Sequence, residues 1–312
     1  MRHRLPRERR CTYVVRLERC YEDLHELATY LSRLAVCDFE IIVVDASPDA
    51  EENRRVLRWV GKHVLGALDP IRIALDLASC EKVIVADAHV RYTDQTLDHI
   101  CDLLDLHEVV EPQDYFDPLP WWGGIEAGRI LVHRGIGPLA DHGSTFGFRK
   151  RALRGLRALN TSADDWVRRL ASQGAEVFSA AEIFVRRLPP LLEDWLRDRP
   201  RHAGDDIAVP FKAAFFFALL PVTVLLAFLG NARMAFSYLG LIAFSSLALA
   251  IRGRIGAAPF FPLRACLYAP LWLLERSIAV YWALFRKVSG TSEPPKIPIA
   301  VRTSGERVAT GK

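Results

Sequence analysis

Short apolar runs alternate with helical patterns from residue 11 to about residue 190, and the pattern changes abruptly at Phe211. The run Tyr13-Val14-Val15 predicts a first strand. Between residues 21 and 34, Leu24, Leu27, Ala28, Leu31 and Leu34 recur at helical spacing, which predicts an amphipathic helix. Residues 39–45 are largely apolar up to Asp45 and predict a second strand, and a polar helix is expected from Asp49 to about His63. Residues 66–78 lead into a further run, 82–87, apolar until it meets Asp87. Strands buried on both faces of a parallel sheet read as near-continuous apolar runs of this kind. Strand and helix in alternation predict an α/β fold, a mostly parallel sheet flanked by helices. No internal repeat is evident.

From Phe211 the chain is of a different kind. Residues 211–230 are apolar except for Lys212, and about 20 such residues span a bilayer core. Residues 234–251 form a second, slightly shorter run, and the short link at 231–233 implies an antiparallel hairpin. A buried helical hairpin would need a large surrounding core. Residues 259–285 are apolar and aromatic but carry Arg264, Glu275 and Arg276. Charges near a bilayer centre cost roughly 2.5–3.5 kcal/mol each, so this segment reads either as a third span or as a helix in the interface, with Trp272, Tyr281 and Trp282 at headgroup level. Arg252, Arg254 and Arg264 flank the loop after the second run and Lys212 precedes the first. The positive-inside rule then places the soluble domain in the cytoplasm of a multi-pass protein of the cell membrane.

Composition changes this picture little. The net charge of +4 points to no nucleic-acid partner. Five arginines crowd the first ten residues without an apolar stretch behind them, so that run reads as a solvated basic tail rather than a secretory signal. Attraction to anionic lipid is open to it. Six cysteines lack any Cys-x-x-Cys pair, so neither disulfides nor structural zinc are expected. The expected organisation is a basic tail (1–10), an α/β domain (11–205), a membrane region (206–288) and a flexible tail (289–312).

The chemistry concentrates where strands end. In open α/β sheets ligands bind beyond the carboxyl ends of strands. Asp87, followed by Ala88 and His89, would sit at the rim of such a crevice, within reach of one divalent ion; Asp45, followed by Ala46, Ser47, Pro48 and Asp49, would end a strand in the same way. Two strands delivering acidic ends to one crevice suit a nucleotide-diphosphate site with a bridging metal. Plainer readings stand beside these: Asp87 capping a turn with His89 incidental, and Asp45 forming an Asx-turn.

These two segments resemble the nucleotide-sugar half of a family-2 glycosyltransferase of GT-A fold. The resemblance covers about residues 11 to 290 and extends to a bacterial membrane-bound subgroup, through Pro112-Gln113-Asp114-Tyr115-Phe116-Asp117-Pro118-Leu119-Pro120-Trp121 and the segment 183–190. It implies an inverting transfer of a sugar from a nucleotide-diphosphate donor to a lipid-linked or glycan acceptor, at a lipid bilayer. The implied cofactor is a divalent metal, Mn2+ or Mg2+, on Asp87 and His89, where the family usually presents Asp-x-Asp. Asp45 and, secondarily, Asp49 match donor-binding positions. Trp121 and Trp122, with Gly143, Ser144 and Thr145 in the turn and strand of residues 141–150, match the acceptor side. A catalytic base is implied at Asp164 or Asp165, which equally suit the first turn of a helix. Arg199 and Arg201 fall where the family holds the diphosphate, or they form a basic collar at the membrane surface. The degenerate metal and base motifs also admit a glycosyltransferase-like protein that binds nucleotide or a partner without catalysis. A nucleotidyltransferase is disfavoured, because no glycine-rich phosphate loop follows the first strand.

Overall fold

The apolar runs become adjacent strands of one sheet. A computed structural model describes residues 10–17, 23–65, 70–137, 144–153, 167, 170–207, 209–229 and 232–289. The chain divides into two units, the first comprising residues 1–114, 142–187 and 296–312 and the second 115–141 and 188–295.

In the first unit the strands are β1 (Thr12–Leu17), β2 (Glu40–Asp45), β3 (Lys62–Leu65), β4 (Lys82–Asp87), β5 (Val90–Arg91), β6 (Val109–Phe116), β7 (Thr145–Arg149) and β8 (Val177–Arg187). Their order is β3-β2-β1-β4-β7-β6-β8-β5. β3, β2, β1 and β4 are parallel, whereas β7 runs antiparallel to both β4 and β6. The predicted parallel half is thus joined to an antiparallel half.

Alternation along the strands builds two cores. Tyr13, Val15, Ile41, Val43, Ile84 and Ala86 face helices α1 (Leu24–Val36) and α4 (Asp94–Leu106), which contribute Leu27, Leu31, Leu34, Leu97, Ile100 and Leu104. Val14, Ile42, Val44, Val83 and Val85 face the opposite way and meet Ile71, Ala74 and Leu75 of α3 (Pro70–Leu77). Both capped helices start as chemistry requires: Asp23 accepts from the Glu26 N–H at 2.9 Å and Thr93 from the Thr96 N–H at 3.1 Å.

At the amino edge of the sheet, buried Glu40 accepts from Lys62 Nζ (2.5 Å), Thr12 Oγ1 (2.5 Å) and the Ser79 N–H (2.7 Å). Burial pushes its carboxyl up, but these three donors outweigh burial and hold it at about 2.

The polar helix expected from Asp49 to about His63 is shorter in the structure. Helix α2 spans Ala50–Val56, and His63 lies inside β3. Four residues are too few to announce a strand by periodicity; pairing with β2 makes this one. The proline-rich stretch that carries part of the resemblance is strand β6 as far as Phe116, followed by a cis Asp117–Pro118 bond.

The second unit is helical: α5 (Gly123–Ile136), α6 (Leu192–Ile207), α7 (Pro210–Leu229), α8 (Ala232–Gly253), a short 3-10 turn (Leu263–Tyr268) and α9 (Ala269–Val288). Helix α5 was not predicted, since four glycines weaken its intrinsic preference. Its glycines have a packing reason. A Cβ on Gly135 would lie 2.1 Å from the Leu249 carbonyl oxygen, and one on Gly253 would lie 1.9 Å from that of Leu131. Helices α5 and α8 therefore meet backbone against backbone.

Helices α7 and α8 are long and apolar enough to cross a membrane, and only 11% and 17% of their most apolar windows are buried. A soluble core helix would hide most of that surface. Helix α9 does not meet the same test among the described residues. Leu271, Leu274, Ile278, Trp282 and Phe285 form an exposed stripe on it, while Trp272, Leu273, Arg276, Ser277 and Val280 are buried.

Candidate active site

The carboxyl edge of the parallel half carries the expected acids. In register, Leu17 on β1 stands beside Asp45 on β2, and Arg16 beside Asp87 on β4. With strands about 4.8 Å apart, β2 and β4 are separated by roughly 10 Å. Asp45 follows the face of Val43 and Asp87 that of Val85, so the two carboxylates leave opposite faces of the sheet.

Asp45 is fully buried. Its Oδ1 accepts from the Ser47 N–H at 3.0 Å and the Ser47 hydroxyl at 2.6 Å, and its Oδ2 accepts from Asn53 Nδ2 at 3.0 Å. This is the Asx-type turn weighed as one alternative. Burial pushes the carboxyl up, yet His63, Ser47 and Asn53 together hold it below the usual range. His63 Nε2 stands 3.7 Å from Oδ2. Asp49 lies exposed at the start of α2, where its carbonyl accepts from Glu52 and Asn53.

Asp87 is met by Arg16. The guanidinium donates from Nε at 3.0 Å, and also from Nη2, to the single oxygen Oδ1. The arginine side chain is 8% exposed and the aspartate 25%. The backbone on either side is tied down as well. The Asp87 N–H donates to the Ser144 carbonyl at 3.0 Å and the Ala88 N–H to the Arg16 carbonyl at 2.9 Å. His89 follows, half-buried, in the turn before β5. Arg91 secures that turn by donating to the carbonyls of Ala88 and Val90, at 2.6 and 2.8 Å, and by pairing with Glu26.

The expected metal pair does not fit a divalent ion in this arrangement. Asp87 is engaged by a buried cation, His89 offers one imidazole, and among the described residues no group of three or more His, Cys, Asp or Glu side chains converges. With Asp87 engaged by Arg16, a hard ion here would have to take almost all its oxygen ligands from phosphate and water.

Ser144 and Thr145 are both buried. Ser144 Oγ donates to Asp114 Oδ2 at 2.7 Å, which Arg187 also approaches at 3.4 Å. Thr145 Oγ1 donates to the Val85 carbonyl at 2.9 Å and shares a 2.7 Å bond with the Tyr92 hydroxyl. Gly143, Asp164 and Asp165 lie outside the described residues, as does the side chain of Arg201 on α6.

In the second unit, Trp121 is 68% exposed and Trp122 only 7%. Trp122 packs against Trp195 with ring centres 5.5 Å apart, and Arg199 stacks over Trp195 at 4.3 Å. Arg199 also pairs with Glu126 (3.0 Å) and Glu275 (3.5 Å). Residues expected on the acceptor side and the donor side thus share one buried cluster, and Arg199 has its partners within the protein.

Several contributors were missed from sequence: Arg16, Asn53, His63, Glu126 and Glu275. A signal existed for Arg16, a charge inside an apolar strand run. Its partner could be found only once strand order was known.

No protein-family model matches the chain, and no curated protein matches it. Among solved structures it is similar to the mannosyltransferase PcManGT from Pyrobaculum calidifontis in complex with GDP-Man and Mn2+, at 17% identity, covering 89% of this chain and 88% of that one, with a TM-score of 0.50. A weaker likeness is to glucosyl-3-phosphoglycerate synthase from Mycobacterium tuberculosis in complex with Mn2+, uridine-diphosphate and phosphoglyceric acid, at 12% identity over 59% of this chain and 72% of that one, TM-score 0.44. The chain has the GT-A fold of nucleotide-diphospho-sugar transferases.

Proposed function

We propose that the protein is a membrane-bound inverting glycosyltransferase, moving a sugar from a nucleotide-diphosphate donor to a lipid-linked or glycan acceptor. The observation that carries this reading is the fold likeness to a mannosyltransferase across 89% of the chain, helical unit included. A fold hosts more than one chemistry, so the site must agree. Its contribution is the carboxyl edge, where β1 and β4 pair Arg16 with Asp87 in register and β2 ends one strand away at Asp45.

In this reading Asp45 and Asp49 attend the nucleoside, and the Arg16–Asp87 pair lies at the diphosphate. Asp164 or Asp165 is the general base that takes the acceptor hydroxyl proton as that oxygen attacks the anomeric carbon in line. The nucleoside diphosphate departs from the opposite side, so configuration inverts without a covalent intermediate. Trp121, with its exposed ring, is the acceptor-side residue best placed to stack on a sugar or lipid-linked group. Helices α7 and α8 cross the bilayer, and the apolar stripe of α9 lies against lipid, with the catalytic domain on the cytoplasmic face.

The test is turnover by the full-length protein in proteoliposomes, with nucleotide-sugars offered as a panel and release of nucleoside diphosphate measured. Release that depends on Asp164 or Asp165 supports the enzyme. A second reading, binding without catalysis, is favoured by the saturation of Asp45 and the engagement of Asp87 within the protein. Tight nucleotide binding with no release from any donor would establish it.

A further inference from the structure

We infer that nucleoside diphosphate binds at this edge without a divalent cation: Arg16 supplies the positive charge, and Asp87 is that arginine's resting partner rather than a metal ligand. The inference rests on the glycosyltransferase reading and specifies how its donor site is charged.

Arg16 and Asp87 are register partners on parallel strands, and two donors of one guanidinium converge on one carboxylate oxygen. The pair is largely removed from water, where coulombic interactions are several-fold stronger than in bulk solvent. A divalent ion on Asp87 would have to sit beside a guanidinium that cannot lose its proton. It would also draw Asp87 away from a charge-assisted contact already made within the protein. A phosphate group meets no such obstacle. Its oxygens match the guanidinium fork, and it can replace or share the carboxylate as Arg16's partner.

The two roles for Asp87 predict opposite signs. A metal ligand helps the diphosphate to bind, so removing its charge weakens binding. A carboxylate that competes with phosphate for one arginine hinders binding, so removing its charge strengthens it.

The experiment is calorimetric titration of GDP and UDP into the full-length protein in detergent, first with EDTA and then with Mn2+. For the wild type, Kd in EDTA should lie within about twofold of that in Mn2+, where a neutralised metal-dependent site would differ by far more. In EDTA, Asp87→Asn should tighten binding by about threefold or more, and Arg16→Gln should weaken it by about tenfold or more, the worth of a charge-assisted hydrogen bond. The double variant Arg16→Gln/Asp87→Asn removes both charges of the ion pair at once; it should bind as weakly as Arg16→Gln alone. Binding that needs Mn2+, with the enhancement lost in Asp87→Asn, overturns the inference and leaves the glycosyltransferase reading intact. Absence of nucleotide binding under every condition overturns both. The wild-type comparison decides the matter even if no variant folds.

Discussion

Replacing Gly253 by alanine tests the helical unit at its tightest point. The new Cβ would stand 1.9 Å from the Leu131 oxygen, 2.8 Å from the Gly135 nitrogen and 2.9 Å from the Leu131 carbonyl carbon. Carbon and carbonyl oxygen settle at about 3.3 Å or more, so α5 and α8 must part by roughly 1.4 Å. The obstacle is backbone, which cannot rotate aside as a side chain would. Adding a methyl group to a filled interior costs about 1–3 kcal/mol, and this site belongs at the upper end. A gap of that size also forfeits a large part of the dispersion attraction between flanking side chains. Gly240 is the control within the same helix, because a Cβ there meets nothing within 4 Å. Alanine at Gly240 should be neutral or stabilising by up to about 1 kcal/mol, the helix-propensity gain. Thermal unfolding of the detergent-solubilised protein, followed by tryptophan fluorescence, should show Gly253→Ala melting several degrees lower, at about 2–4 °C per kcal/mol. Gly135→Ala should behave alike. If Gly253→Ala melts with Gly240→Ala, the close approach of these helices is refuted.

Three further outcomes are expected. Glu40 loses its stabilising role in acid: lowering a carboxyl from about 4.3 to about 2 is worth about 3 kcal/mol, fully present above the unfolded value and lost as pH falls through the folded one. Acid titration should therefore show Glu40→Gln already destabilised at pH 7 and less pH-sensitive than wild type between about pH 5 and 2; parallel curves would refute this. Asp45→Ala strips Ser47 and Asn53 of their acceptor, so it should cost about 1–3 kcal/mol of stability and weaken nucleotide binding; unchanged affinity in a folded variant would confine Asp45 to its turn. The full-length protein should stay in the membrane fraction through alkaline carbonate and leave it only with detergent, and release by carbonate alone would argue against the α7–α8 hairpin.

Much of the sheet was legible because its strands are buried on both faces. Residues 39–45 and 82–87 announce themselves as apolar runs stopped by an acid, and the structure ends β2 at Asp45 and β4 at Asp87. Helix α1 and the two long apolar helices were equally plain, since periodicity and length are local properties. Strand β3 was hidden because its conformation comes from pairing with β2. Helix α5 was hidden because glycines that lower its propensity are repaid by contact with α8. At the candidate site the positions of the acids could be read, but their partners could not. Asp45 draws on Asn53 and His63, and Asp87 on Arg16, across distances in sequence that only the strand order closes.

That strand order also dictates a sequence of events during synthesis. One edge of β4 pairs with β1, which has already been made, but the other waits for β7, from Lys82↔Arg149 to Ala86↔Thr145. Roughly 60 residues must be added between the two, about 3–12 s of translation at 5–20 residues per second. Throughout that interval the stretch Val83-Ile84-Val85-Ala86 presents an unsatisfied apolar edge, the kind that recruits other nascent chains. Slowing the ribosome between codons 88 and 145 should therefore increase aggregation of the newborn protein, whereas slowing it after codon 187, when β7 and β8 have been made, should leave solubility of the sheet unchanged.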